Sequence, residues 1–391
     1  MIKFLGKDGY FEEDLPEEGF GADKPLAETA MLLYVAAAVT GHARIKEQVN
    51  ELSFLLAPFA RSHRTACAIA LNPTICFQLA MPHILSGQLG LQDTHFDRVL
   101  ALSAESQSHA GREVVPHRAL EELWLKSLWS NTPPGAEFQH AALNSVLNHP
   151  IDLFWGTRED AYAHTHTFMY FLDFGYSRRP LPRPQLQILG ESSGLLARSL
   201  LLEDFDLTAE VLMAWPFTAA PWTPAANFGF RVLTDFEDRL GYLSAGNGVP
   251  EKFYRLTGTE RTKYALATTY HTVYVMGMLC ALALRPGNAP ANQISGKLAP
   301  AGLIDELFSM IPSADTPWQH TFGQLEPVER RALGPFLLDM ALLRSGRIHD
   351  FSALGRLLNI AVQHGLANTP LCAQAVELLQ RIAVCADRRL D

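Results

Sequence analysis

T-R-E-D-A-Y-A-H-T-H-T-F-M-Y-F-L-D-F-G, from Thr157 to Gly175, is the stretch whose reading decides the fold. Between Ala161 and Leu172 it carries no Asp, Glu, Lys or Arg, so a helix here has no charged face. A helix that is apolar all round packs inside a protein rather than lying on its surface. Two histidines interrupt it, and burying them costs free energy unless each finds a partner. At 100° per residue, positions 159, 166 and 173 fall close to one line. Glu159, His166 and Asp173 therefore share a side, with Tyr162 and Tyr170 beside them, while His164 points roughly the other way.

A second stretch reads alike. T-G-T-E-R-T-K-Y-A-L-A-T-T-Y-H-T-V-Y-V-M-G-M-L-C-A-L-A-L runs from Thr257 to Leu284, and after Lys263 only His271 can carry charge before Arg285. Both stretches open on Thr-x-x-acid (Thr157 to Asp160, Thr257 to Glu260), the signature of a helix start. Each then presents a His-Thr pair, His166-Thr167 and His271-Thr272. The pattern predicts two buried, histidine-bearing helices over 157–174 and 259–284, set as two walls of one cavity.

Outward from these, helical patterns cover 25–40, 44–60, 64–71, 74–88, 93–107, 117–130 and 138–148. Further patterns follow at 185–203, 206–215, 226–243, 300–311, 327–345, 351–364 and 370–387. Pro327 and Pro370 fall at first turns, and Asp350 and Thr369 at caps. Asp206 reads as the cap of the 206–215 helix. Arg178-Arg179-Pro180-Leu181-Pro182-Arg183-Pro184 reads as an extended, solvated linker, because successive prolines exclude helix. No stretch alternates as a strand. The expectation is an all-α chain, a multi-helix α/α ring (toroid) or solenoid, in one compact unit spanning 1–391. Residues 1–24 form an irregular lead and 157–284 the site-bearing core.

Hydrophobic residues make up 48% of the 391 and charged residues 19%, enough apolar material for a substantial core. A net charge of -9 argues against binding phosphate backbones, so no nucleic-acid partner is expected. The five cysteines are odd in number and lack C-x-x-C spacing, which excludes a disulfide scaffold and fits a reducing cytoplasm. No signal peptide is read at the N-terminus. Tyr264 to Leu284 is long enough to raise the question of a membrane span. Its Thr268-Thr269-Tyr270-His271-Thr272 centre favours a buried soluble helix, so no membrane is expected.

Buried imidazoles serve as metal ligands or as acid/base groups, or are simply hydrogen-bonded in a core. His166 and His271 are the leading candidates. Asp173, two turns beyond His166, lies near a helix C-terminus, where the dipole disfavours a carboxylate, and this argues for a role. Glu159, Asp160 and Glu260 fall in first turns, where acids are expected anyway. Asp206 and Glu210 are four apart and share a helical face if the helix has begun by Asp206, and Glu210 enters an apolar run that makes it costly without a partner. Catalytic roles are expected for His166, His271 and Asp173, and metal ligation for His166, Asp173, Glu210 and His271. Such a set suits iron or zinc. H-E-x-x-H, G-x-S-x-G, Walker and G-x-G-x-x-G signatures are absent, as are the Asp-rich runs of terpene cyclases. His109 and His117 flank a polar loop and read as exposed.

T-H-T-F-M-Y-F-L-D-F-G (165–175), D-F-D-L-T-A-E-V-L-M-A (204–214) and Y-H-T-V-Y-V-M-G (270–277) together resemble an uncharacterised family of helical bacterial proteins, often found near natural-product biosynthesis genes. The resemblance covers roughly 150–285. It implies that His166, Asp173, Glu210 and His271 belong to one shared site, and it names no reaction. The expectation is a cytoplasmic, metal-assisted enzyme of small-molecule biosynthesis, acting on a small molecule or peptide between the two histidine-bearing helices. The alternative is a non-catalytic helical scaffold for a carrier protein, a peptide or a biosynthetic partner.

Overall fold

The computed structural model describes residues 23–106, 112–241, 243, 250–311 and 316–387, and the lead expected over 1–24 lies almost wholly outside them. Among the described residues every regular element is a helix. In order, the first are α1 (Asp23–Ala37), α2 (Ala43–Ala60), α3 (His63–Leu71), α4 (Cys76–Gln88), α5 (Thr94–Ala104), α6 (Pro116–Ser130) and α7 (Ala136–Leu143). The middle of the chain forms α8 (Arg158–Phe171), α9 (Gln185–Leu201), α10 (Phe205–Leu212), α11 (Ala214–Thr218), α12 (Pro224–Leu240), α13 (Pro250–Arg255) and α14 (Gly258–Ala283). The rest is α15 (Ala301–Ser309), α16 (Pro317–Gln324), α17 (Pro327–Ala332), α18 (Gly334–Arg347), α19 (Phe351–Gln363) and α20 (Pro370–Asp387).

The punctuation is local chemistry. Prolines occupy the first turns of α6, α12, α16, α17 and α18, where a missing N–H removes no helical bond. Side chains of Ser62, Asp93, Asp204, Thr223 and Asp350 accept from first-turn N–H groups as caps. The expected helix over 327–345 is two helices. The break falls at Leu333, and Pro335 in the first turn of α18 cannot donate to Arg331 O, which instead accepts from Ala299 N at 3.0 Å. Residues 317–324, left as connection by the pattern, form α16.

The chain divides into two compact units, each drawn from separate segments. The first comprises Met1–Ser145, His166–Pro180 and Asn247–Ala289, and the second Val146–Thr165, Leu181–Gly246 and Pro290–Asp391. The division falls inside α8, between Thr165 and His166.

In the first unit α1 packs on α2, α4 and α14, and α4 also on α6. The second half of α14 follows α1 in register: Glu28 meets His271, Thr29 meets Tyr274, and Leu32 lies against Gly277. Contrary to the expectation of a helix buried throughout, α14 has no buried residue between Gly258 and Thr269. Lack of charge permits burial but does not supply a covering neighbour. By length and composition α14 could also cross a membrane.

In the second unit α9 and α18 are the hubs, α9 touching α10, α12, α18 and α20, and α18 touching α15, α19 and α20. Close approach is built in at Gly346, where a Cβ would stand 2.6 Å from the Phe154 ring, too near for any other residue without a shift. Arg183 is not the solvated linker residue expected. It makes a two-bond pair with buried Glu191 (2.7 and 2.8 Å) and donates to the carbonyls of Leu147 and His149. That supplies the donors a buried carboxylate requires.

Candidate functional site

Helix α8 supplies polar side chains to both units. In the first unit, its second half runs beside α6 with three rungs between them. The rings of His117 and His166 stand 6.0 Å apart, Tyr170 donates to Glu121 at 2.8 Å, and the Trp124 indole donates to Asp173 at 2.7 Å. His117 to Glu121 and His166 to Tyr170 are steps of four on both helices, so the two helices run in the same direction. Glu121 also accepts from Arg118 at 3.0 Å. His117 is half-buried, not exposed as its polar surroundings suggested. Burial, His166 and Arg118 together lower it to about 4, so its ring is neutral at pH 7.

The last rung ends in a strained turn. Asp173, Phe174 and Gly175 all have positive φ (49°, 47° and 80°), a conformation that costs free energy at Asp and more at Phe. The surroundings hold it in place. Asp173 Oδ1 accepts from both Trp124 and Tyr34, and Arg285 donates to the carbonyls of Phe174 (2.8 Å) and Val35 (3.0 Å). Burial raises the Asp173 carboxyl above its usual range, against the lowering effect of these donors and of Arg179 and Arg285. Among the described residues Asp173 Oδ2 receives no hydrogen bond. The helix expected over 157–174 stops at Phe171, so Asp173 lies in the turn beyond α8 rather than on a helical face with His166, and the two meet different residues of α6.

His271 pairs elsewhere in this unit. Its Nδ1 lies 2.9 Å from Glu28 Oε2, and Lys24 Nζ lies 3.6 Å from Glu28 Oε1. Glu28 is buried and His271 half-buried. A carboxylate on Nδ1 fixes the imidazole as the Nδ1–H tautomer and makes Nε2 the basic nitrogen. No sequence signal pointed to Glu28, because its partner lies 243 residues away.

In the second unit the first half of α8 faces α10. Asp206 and Glu210 each retain only 3% exposure, and a carboxylate oxygen of one lies within 4.8 Å of one of the other. Tyr162 donates to Asp206 at 2.6 Å and Thr165 to Glu210 at 2.5 Å. Burial, then the charges of Asp206 and Glu210, push the Tyr162 hydroxyl above its usual range and keep it a donor. Arg158 binds Asp204 through two bonds, 2.7 and 3.0 Å, stands 3.7 Å from Asp206 and lies over the Tyr162 ring.

The cap of α10 is Asp204, not Asp206. The helix begins early enough to place Asp206 inside it, so both carboxylates project from one face as i and i+4. His164, fully buried, lies 3.0 Å from the Ser192 hydroxyl, and burial lowers it to about 3. It is a neutral core residue.

Paired buried carboxylates can hold a divalent cation or share a proton. The Asp206 and Glu210 oxygens therefore fit a metal by donor type. Comparison with curated proteins and with solved structures gives no match. Residues 8–281 match one family, and the chain belongs to it: a family described as a domain of unknown function, DUF6895.

Proposed function

We propose that this chain is an enzyme of small-molecule biosynthesis assisted by a divalent metal ion, iron or zinc, with Asp206 and Glu210 among the ligands. The observation that carries the reading is the carboxylate pair itself, two acids in a protein interior with oxygens within 4.8 Å of each other. Two like charges so close and so dry repel unless a cation or a proton lies with them. Bound there, a metal ion would polarise a substrate oxygen or generate a nucleophile from water at neutral pH. The chain's own residues then have plain tasks. Tyr162 and Thr165 orient the carboxylates by hydrogen bonds, and Arg158 offsets part of the charge of Asp206. In the first unit His271, oriented by Glu28, is the stronger acid/base candidate, with His166 and Asp173 behind it.

The biosynthetic setting rests on the family resemblance, and the cytoplasmic location on the described cysteines, all free thiols. The substrate class is a small molecule or peptide. The test is elemental analysis of protein purified without added metal, alongside Asp206→Asn and Glu210→Gln. Near-stoichiometric iron or zinc that both substitutions abolish is expected. Metal-free wild-type protein, with both variants at least as stable as the parent, would reduce the pair to a proton-sharing contact and overturn the reading.

One observation favours the scaffold instead. A groove of about 500 Å³ lies in the first unit, lined by Pro116, Ala119 and Leu123 of α6, by Ala136 and Ala141 of α7 and by Asn144 just beyond it. Its lining is mostly apolar, as a surface that receives a peptide or carrier-protein helix would be.

A further inference from the structure

The first rung between α6 and α8 differs from the other two. Glu121–Tyr170 and Trp124–Asp173 each pair a donor with an acceptor, whereas His117–His166 brings together two groups of the same kind. The rings stand 6.0 Å apart at 49°. An imidazole nitrogen sits about 2.0–2.1 Å from a bound zinc, which puts each ring centre about 3.2 Å from the ion and two such centres about 5–6 Å apart. The observed separation falls at the upper edge of that range.

The chemistry of the surroundings points the same way. Among the described residues no hydrogen bond is made to the ring nitrogens of His117, and the residue is half-buried. Glu121, the nearest acid along α6, already accepts from Tyr170 and Arg118, so it does not serve as a counter-ion to a protonated imidazole. An imidazole nitrogen offers a donor that borderline metal ions take in preference to calcium or magnesium.

We propose that His117 and His166 form a two-imidazole site for a borderline transition-metal ion, zinc or copper, in the first unit. The site does not depend on the reading of Asp206 and Glu210. Two protein nitrogens leave further coordination positions for water or for a donor atom of a bound molecule.

Calorimetric titration of the full chain with zinc chloride, after chelator treatment and with any affinity tag removed, tests the proposal. Parallel samples carry His117→Ala, His117→Gln, His166→Ala and the Asp206→Asn/Glu210→Gln double change. The wild-type chain should take up zinc at a site whose affinity falls at least tenfold in both His117 variants and in His166→Ala, and holds in the double variant. Melting curves without zinc identify folded variants, and half-buried His117 carries the result if His166→Ala fails to fold. Cobalt substitution should give a visible absorption band that His117→Gln removes. Unchanged zinc affinity in the His117 variants, loss only in the double variant, or no uptake by the wild-type chain would each overturn the proposal.

Discussion

The two halves of α8 face partners of opposite character. From His166 onward α8 meets α6, and each carboxylate there has two donors: Tyr170 and Arg118 on Glu121, Trp124 and Tyr34 on Asp173. Before His166 it meets α10, where Asp206 and Glu210 sit as neighbours and each takes a hydroxyl, Tyr162 or Thr165. The first arrangement compensates burial group by group, as a stable core must. The second sets two acids side by side, with a hydroxyl on each and Arg158 3.7 Å from Asp206.

The comparison breaks most easily at Trp124, which is fully buried and holds the strained turn through its indole N–H. Trp124→Ala should cost about 3–5 kcal/mol, read from urea unfolding, because cavity and lost donor act together. A cost below about 1 kcal/mol would mean that the α6 rungs do not hold the first unit together.

A carboxylate short of donors in the second unit sharpens the contrast. Asp339 on α18, deeply buried, accepts from Thr369 at 2.9 Å, and burial pushes it up to about 7. Its folded pKa lies above the unfolded value, so the folded state holds the proton more tightly. The stability this gives is present below about pH 4 and is lost as pH rises towards 7. The loss is up to about 4 kcal/mol at the ordinary value per pKa unit. Asp339→Asn, which cannot ionise, should flatten the stability profile between pH 4 and 7. A profile as steep as the parent's would place the titration elsewhere.

Asp204 separates capping from charge. Asp204→Asn keeps a capping oxygen but weakens the pair with Arg158, and Asp204→Ala removes both. The Ala change should cost about 1–2 kcal/mol and the Asn change less than half of that. Equal costs would assign the whole effect to the ion pair.

The smallest effect distinguishes two look-alike helix starts. Thr157 and Asp160 exchange capping bonds in both directions, whereas Thr257 at the start of α14 makes no side-chain cap bond. Thr157→Ala should cost about 1 kcal/mol and Thr257→Ala a few tenths, by thermal melting. Equal costs would show the second pattern closing in solution.

Much of the helical framework was legible residue by residue. Pro327, Asp350, Thr369 and Pro370 punctuate the C-terminal third where the chain is read to stop and start. The family match reaches back to residue 8, so the helices from α1 to α7 lie within the shared stretch, well beyond the 150–285 that carries the recognised motifs. The sites were legible only in part. The i, i+4 spacing of Asp206 and Glu210 is visible in the chain, but Asp204 had to take the cap before Asp206 could face Tyr162. His166 was visible and His117 was passed over, since a histidine beside Pro116 and Arg118 reads as a surface residue until α6 is placed against α8.

By itself, the sequence determined the helical class, most of the helices and which stretches tolerate burial, because caps, prolines and a 3.6-residue period act over a few residues. Which neighbour covers each face was decided by the tertiary structure. Glu28 for His271, Trp124 for Asp173 and α1 for only half of α14 are partnerships across 49 to 243 residues, chosen by shape and donor geometry that no local pattern contains.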